Sequence, residues 1–302
     1  MKRYEKFVLE AKKGITFEVS EGTSGELIIR ALNIATANVY STNYVNPPIP
    51  EGYKHVCGKW NNGFVIERCS DGSQFVWIPV GSLDSNGILD GEHFSEKFGK
   101  RDYWDNKFLD DRFNEALNDE LLEQFESVKK YGGFYISRYN ISKSSAGKPQ
   151  SVKGVMPWVN INFDDAKKIA STIEDNEAVK SHLTFGAEYD SVMEWFIKTK
   201  VKTLAEKNAE DSAKRGLHWS VVTLPRKVVE TGSREEWCAN NIYDIAGNVC
   251  EWTQEKLNCS FYAVRGGRLC FDDYIPVGGF SLGGFPDEDN SNTGFRATLY
   301  IK

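Results

Sequence analysis

The six cysteines are the residues of this 302-residue chain with the widest range of possible chemistry. They are Cys57, Cys69, Cys238, Cys250, Cys259 and Cys270. No two have the CxxC spacing of a zinc cluster, and the four histidines show no metal-binding spacing either. Disulfide frameworks are typical of small exported domains, whereas this chain is long and starts without an apolar signal region. We therefore expect neither a zinc site nor a disulfide framework.

Carboxylates are the second group that could do chemistry. Asp272 and Asp273 are adjacent and could act as an acid and a base, but adjacent loop aspartates are usually just solvated. Glu251 lies between Cys250 and Trp252, directly after a turn. We expect Trp252 to fill the core and Glu251 to pair with a nearby group.

Short strands and amphipathic helices are the elements that must position these residues. A nearly continuous apolar run at 75–80 predicts a buried strand, and 134–136 predicts another. Apolar residues at three- and four-residue spacing predict helices at 117–128, 163–173 and 189–196. Asn162 and Thr184 are the expected N-caps of the second and third helix. The pattern predicts an α+β fold rather than a parallel sheet.

The first 45 residues form a separate, β-rich segment in this interpretation. Three short strands are predicted there, at 7–9, 15–19 and 27–29. Residues 44–50 contain three prolines and predict a stiff connector. The predicted domains are therefore 1–45 and 46–302.

Composition restricts the classes of partner. The net charge is −6 and no Lys/Arg cluster is present, which argues against nucleic-acid binding. No apolar run approaches the roughly 20 residues needed to cross a bilayer, so membrane insertion is not expected. Without a signal peptide, we expect synthesis in the cytoplasm.

Three blocks near the C-terminus carry a family resemblance. They read NIYDIAGNVCEWT (241–253), YAVRGGRLC (262–270) and TGFRATLYIK (293–302). In this order and spacing they resemble the C-terminal half of the formylglycine-generating enzyme (sulfatase-modifying factor) family, and further landmarks follow one another between 51 and 196. The resemblance implies an α+β, C-type lectin-like fold of the formylglycine-generating enzyme type for 46–302, behind the small β-rich segment.

The resemblance also bears on catalysis and metals. Oxidising members of the family use two cysteines just after the glycine turn to bind copper and attack substrate. Here only Cys270 follows that turn, so we expect no catalytic residue, no copper and a structural role for this thiol. Relatives bind calcium at the turn before the acidic residue, which implies Asn248 and Glu251 as possible ligands of a structural Ca²⁺ ion. No other cofactor is expected.

The segment 269–293 has the composition of a recognition surface, with aromatic anchors, polar residues and two Gly-Gly pairs. It matches the place where variable proteins of diversity-generating retroelements carry their diversified positions, between a glycine turn and a terminal GFR. The expected ligand-binding residues are Leu269, Phe271, Asp272, Asp273, Tyr274, Ile275, Phe280, Ser281, Leu282, Phe285, Asp287, Asp289, Asn290, Ser291 and Asn292.

These observations predict a non-catalytic protein of phage or prophage origin that binds a protein or glycan receptor on a host or target cell, and that is virion-associated. Two alternatives remain open. One is a diverged oxidase of the same family that works through Cys270, and the other is a structural virion protein. The sequence does not define the oligomeric state.

Overall fold

The computed structural model describes residues 16–21, 27–32, 47–60, 62–80, 119–199, 227–245, 247–256, 262–266, 282–284 and 291–302. The chain divides into two compact units, Met1–Ser41 and Thr42–Lys302. The division falls close to the boundary that the sequence predicts after residue 45. Within the described ranges no helix is long and apolar enough to cross a membrane.

The smaller unit contains an antiparallel hairpin. Strand β1 (Thr16–Glu21) pairs with β2 (Leu27–Leu32), with Thr16 opposite Leu32. Phe17 and Val19 alternate with polar residues along β1, and β2 is rich in Leu and Ile, both of which are typical of strands. The predicted strands at 15–19 and 27–29 are thus confirmed, and the one predicted at 7–9 lies outside the described residues.

The larger unit has a mixed order of strands and helices. Its elements are β3 (Tyr53–Cys57), β4 (Val65–Arg68), β5 (Gln74–Pro79), α1 (Asp119–Tyr131), β6 (Gly133–Ser137), β7 (Ser142–Lys143), β8 (Pro149–Gln150), α2 (Phe163–Ser171), β9 (Val179–Leu183), α3 (Gly186–Lys198), a 3-10 helix (Glu235–Trp237), β10 (Cys238–Ala239), β11 (Ile242–Tyr243), β12 (Cys250–Lys256), β13 (Tyr262–Arg265), β14 (Leu282–Gly284), β15 (Thr293–Phe295) and β16 (Ala297–Ile301).

Two sheets organise this unit. The larger has the strand order β3-β4-β5-β6-β16-β9, with antiparallel neighbours throughout. The smaller has the order β14-β13-β12-β15, and β15 runs parallel to β12. One hydrophobic core takes side chains from both sheets and from α2, including Trp77, Tyr135, Phe163 and Trp252. The predicted buried strands at 75–80 and 134–136 are therefore confirmed as β5 and β6.

The helices begin and end largely where the sequence indicates. The Asn162 side chain accepts a hydrogen bond from the Asp165 backbone N–H (2.8 Å), so the predicted cap of α2 is confirmed. Helix α1 ends at Gly132, which has a φ of +80°. Leu117, at the start of the predicted range, lies outside the described residues.

The predicted cap of α3 is wrong. The Thr184 hydroxyl donates to the Arg296 carbonyl (3.2 Å), because Thr184 directly follows β9 and lies beside the neighbouring strand β16. Glu188 instead provides a partner for a backbone N–H at the start of the helix. Its Oε2 accepts a hydrogen bond from the Phe185 N–H (2.8 Å).

Candidate functional site

The described residues next to the segment predicted to bind ligand lie in the smaller sheet, on both sides of β12. Arg265, the last residue of β13, is opposite Glu251, and Thr293, the first residue of β15, is opposite Cys250. Arg265, before the segment, and Thr293, its last residue, therefore both lie at the start of β12. They are separated by about two strand spacings, or roughly 10 Å.

The exit from β13 depends on a glycine. Gly266 has a φ of +81°, a left-handed conformation that favours glycine. A Cβ atom there would lie 3.1 Å from the Ile245 carbonyl oxygen and 3.4 Å from the Tyr189 hydroxyl. Gly266 therefore ends β13 at a closely packed position that a residue with a side chain could adopt only with strain.

Arg296 holds the other end of the segment from inside the core. Its side chain is fully buried, and its Nε donates to Oε1 of Glu251 (2.6 Å). Its Nη1 donates to the carbonyls of Ser137 (2.9 Å) and Arg138 (3.2 Å), and its Nη2 donates to the carbonyl of Tyr243. One guanidinium therefore joins β6, β11, β12 and the link between β15 and β16 through charge-assisted hydrogen bonds.

Burial disfavours the ionised form of Glu251. Burial raises the pKa of the Glu251 carboxyl, while the Arg296 guanidinium and the amide of Asn140 (2.8 Å) act in the opposite direction. Asp244, which has a φ of +60°, is buried close by, and burial raises its pKa to about 6. Arg296 thus lies within the field of two buried carboxyl groups.

Arg265 fixes the first end in the same way. Its guanidinium is paired with Glu255 (2.6 Å) and Asp190 (3.2 Å), and all three side chains are at most 6% exposed. Burial lowers the pKa of the Arg265 guanidinium because it disfavours the charged form. The carboxylates of Asp190 and Glu255 have the larger combined effect, so the pKa of Arg265 is raised. Arg265 and Arg296 thus both tie their strands to the frame through buried ion pairs.

The sequence patterns do not identify Glu255 and Asp190 as partners of Arg265, or Asn140 as a partner of Glu251. Glu255 lies in β12, whose residues from Cys250 to Glu255 are all buried, but the strand is irregular between Trp252 and Lys256, so simple alternation does not mark this residue. Asp190 and Asn140 are far from their partners in the chain, and nothing in their local sequence marks them.

The described residues include only a few of the predicted ligand contacts. Leu282 lies in β14, where it pairs with Val264 of β13. Ser291 is exposed, and Asn292 is half-buried with its backbone carbonyl accepting a hydrogen bond from the Cys250 N–H (2.8 Å). The others lie outside the described residues: Leu269, Phe271, Asp272, Asp273, Tyr274, Ile275, Phe280, Ser281, Phe285, Asp287, Asp289 and Asn290.

The two predicted calcium ligands are already engaged with protein groups. The Asn248 amide bonds to both the N–H and the carbonyl of Val229 (3.0 Å each). Oε1 of Glu251 is paired with Arg296, and Oε2 has no hydrogen-bond partner within the described residues. Calcium takes about six to eight oxygen ligands, and these side chains offer it one unpartnered oxygen. Calcium binding here stays a prediction that these contacts do not favour.

Other metal and thiol chemistry can be judged only for the described part of the chain. There, no three His, Cys, Asp or Glu side chains are grouped closely enough to hold a metal ion. Cys57, Cys69 and Cys238 are free thiols, and Cys250 is buried. Burial raises the pKa of the Cys238 thiol, which disfavours the nucleophilic thiolate. Cys259 and Cys270 lie outside these residues.

The fold and the buried arginine pairs define an α+β protein of the C-type lectin-like, formylglycine-generating enzyme type. Residues 65–300 match the model of the sulfatase-modifying factor enzyme 1-like domain, and the chain belongs to this family. The fold class predicted from the sequence is thereby confirmed. No curated protein matches the chain.

Two solved structures are similar to this chain. One is PvdO from Pseudomonas aeruginosa, with 16% sequence identity and a TM-score of 0.44, over 78% of this chain and 97% of that chain. The other is Treponema denticola variable protein 1, with 14% identity and a TM-score of 0.43, over 82% of this chain and 99% of that chain.

Proposed function

We propose that this protein is a non-catalytic ligand-binding protein that displays the segment 269–293 on a C-type lectin-like frame. The observation that carries the proposal is the anchoring of the segment. Arg265, four residues before the segment, and Thr293, its last residue, both lie at the start of β12, and the Arg265 and Arg296 side chains are buried and ion-paired. A frame fixed from inside keeps its geometry whatever side chains the segment carries, which is what an adaptable binding surface needs.

The distribution of cysteines supports a role without oxidation. Copper-dependent oxidation in this family needs two cysteines after the glycine turn, and Cys270 is the only cysteine between that turn and Lys302. A single thiolate cannot provide both the paired ligands and the attacking group. The diverged-oxidase alternative would require Cys270 to act alone, and no observation on the described residues favours it.

The composition of the segment supports a macromolecular partner. Its phenylalanines and Tyr274 supply large contact area, and its Asp and Asn residues supply adaptable hydrogen bonds. The proposed partner is a protein or glycan receptor on a host or target cell. In this proposal the protein comes from a phage or prophage and acts on the virion.

Binding to cell-surface receptors tests this function directly. The wild-type protein and the variant Tyr274→Ala/Asp287→Ala/Asn290→Ala are compared on arrays of purified bacterial surface glycans and surface proteins. We expect the wild type to bind a restricted set and the variant to lose that binding while keeping its melting temperature. Lys148→Ala, an exposed change on the turn between β7 and β8, is the matched control. A folded triple variant that still binds would move the recognition surface elsewhere.

A parallel assay tests the absence of catalysis. The wild type and Cys270→Ser are incubated with copper and a cysteine-containing peptide, and peptide oxidation is followed by mass spectrometry. We expect no turnover above the copper-only background in either protein. Turnover that disappears in Cys270→Ser would establish the oxidase alternative instead.

A further inference from the structure

A cavity of about 880 Å³ opens on the larger unit. It lies between α1 and the end of β16, and we call it the α1–β16 cavity. Tyr300, in its lining, lies four residues beyond Arg296, which is roughly 13 Å along an extended strand. Its volume is within the range of about 300–1,000 Å³ found for small-molecule sites.

The floor of the cavity is apolar. Leu122, Tyr300 and Ile301 contribute to it, and the Leu122 side chain remains 44% exposed. Apolar surface left open in a concave site is surface that a ligand can bury. The floor therefore favours a ligand with apolar side chains.

One wall of the cavity is held in place by ion pairs within the protein. Glu123 accepts hydrogen bonds from the Lys180 ammonium (2.9 Å) and from the Tyr300 hydroxyl. These two hydrogen bonds lower the pKa of the Glu123 carboxyl, so it stays ionised. The Lys302 ammonium is paired with Asp175 (3.3 Å). The charges on this wall are thus already satisfied by neighbouring side chains.

Further along the same helix α1, the lining carries two charges of opposite sign that do not pair with each other. Glu126 and Lys130 lie one turn apart on α1, with the glutamate nearer the N-terminus, which is the favoured arrangement for a helical ion pair. No ion pair joins them, and the Lys130 ammonium lies instead 4.7 Å from the centre of the Tyr131 ring. Among the described residues, Glu126 has no ion-pair or hydrogen-bond partner. A free carboxylate and a weakly held ammonium therefore flank the apolar floor.

We propose that the α1–β16 cavity binds a small zwitterion with an apolar body, of the class of apolar dipeptides. Side chains four residues apart on a helix have Cβ atoms about 6 Å apart, and a dipeptide spans about 7 Å between its ends. The ligand's ammonium binds Glu126, its carboxylate binds Lys130, and its side chains cover Leu122 and Ile301. None of the described residues that line this site belongs to 269–293, and the proposal does not depend on the proposed function.

Calorimetric titration of the full chain with the dipeptide Leu-Leu tests the proposal. We expect saturable binding to one site with a dissociation constant below about 1 mM. Glu126→Gln and Lys130→Gln should each weaken binding about tenfold, since each removes one charge-assisted contact. Gly-Gly, which has the same charges without the apolar side chains, should bind at least about tenfold more weakly than Leu-Leu.

Modified ligands assign each charge to its partner. N-acetyl-Leu-Leu lacks the ammonium, so Glu126→Gln should bind it as well as the wild type does. Leu-Leu amide lacks the free carboxylate, so Lys130→Gln should likewise make no difference to its binding. Glu51→Gln, an exposed change remote from the cavity in sequence, is the control and should leave Leu-Leu binding unchanged. Absence of saturable Leu-Leu binding up to 10 mM, or binding unaltered by both cavity variants, overturns the proposal.

Discussion

Replacing Arg296 by alanine should strongly destabilise the larger unit. The change removes a fully buried guanidinium and leaves Glu251, which is 2% exposed, without its charge partner. Breaking a buried ion pair by deleting one partner costs about 3–5 kcal/mol. For a domain of this size that corresponds to a fall in melting temperature of roughly 6–20 °C. Circular dichroism during a thermal scan measures the fall.

A paired replacement separates the cost of an unpaired charge from the cost of lost packing. Arg296→Met combined with Glu251→Leu removes both charges, and such exchanges are often close to neutral. The double variant should therefore melt at a higher temperature than Arg296→Ala alone. Lys148→Ala, on an exposed turn, should stay within about 0.5 kcal/mol of wild type.

The pH dependence gives a second test of the same reasoning. In Arg296→Ala, burial still raises the pKa of Glu251, the guanidinium that lowers it most is gone, and the Asn140 amide remains. A carboxyl whose pKa is higher in the folded state stabilises the fold below its unfolded pKa, and this contribution is lost as pH rises through the folded pKa. The difference in melting temperature between Arg296→Ala and the wild type should therefore increase from pH 5 to pH 8. An unchanged melting temperature at both pH values would refute a buried ion pair and place Arg296 on the surface.

Three further changes test other parts of the account. Trp252→Ala should cost about 3–5 kcal/mol, because the ring is 1% exposed and its Nε1 donates to the Ile161 carbonyl (2.9 Å); a loss below 1 kcal/mol would contradict its place in the core. Between pH 4 and pH 6 the wild type should lose about 2 kcal/mol of stability through Asp244, because its folded pKa of about 6 exceeds the unfolded one, and Asp244→Asn should remove that loss; parallel pH profiles of the two proteins would argue against it. Gly133→Ala should destabilise by about 1–3 kcal/mol, since its Cβ would lie 2.3 Å from the Ile78 carbonyl oxygen, and a normal melting curve would show that β5 can move aside.

Local patterns in the sequence predict much of the frame. The apolar run at 75–80 and the cap Asn162 are short-range signals, and both are confirmed as β5 and the start of α2. Thr184 fails as a cap because β9 and β16 form a pair across more than a hundred residues, and that tertiary contact engages its hydroxyl. The order of the three C-terminal blocks identifies the family, which residues 65–300 then match.

Partners of buried charges are the part of the site that the sequence could not supply. Burial of Arg265 can be inferred from its place before the glycine turn, but Asp190 comes from α3, 75 residues earlier in the chain. Only the fold brings such residues together. The same applies to the α1–β16 cavity, whose walls come from elements far apart in sequence.

Randomisation of the segment 269–293 tests whether it is a binding surface on an indifferent frame. Positions 271–275 and 287–290 are varied together in a surface-displayed library, and each clone is scored for protease resistance and for binding to an unrelated protein target. We expect most clones to stay folded, with melting temperatures close to wild type, and selection to yield binders whose specificity follows the varied residues. A library in which most clones unfold would contradict this expectation, because those side chains would then belong to the core and not to a binding surface.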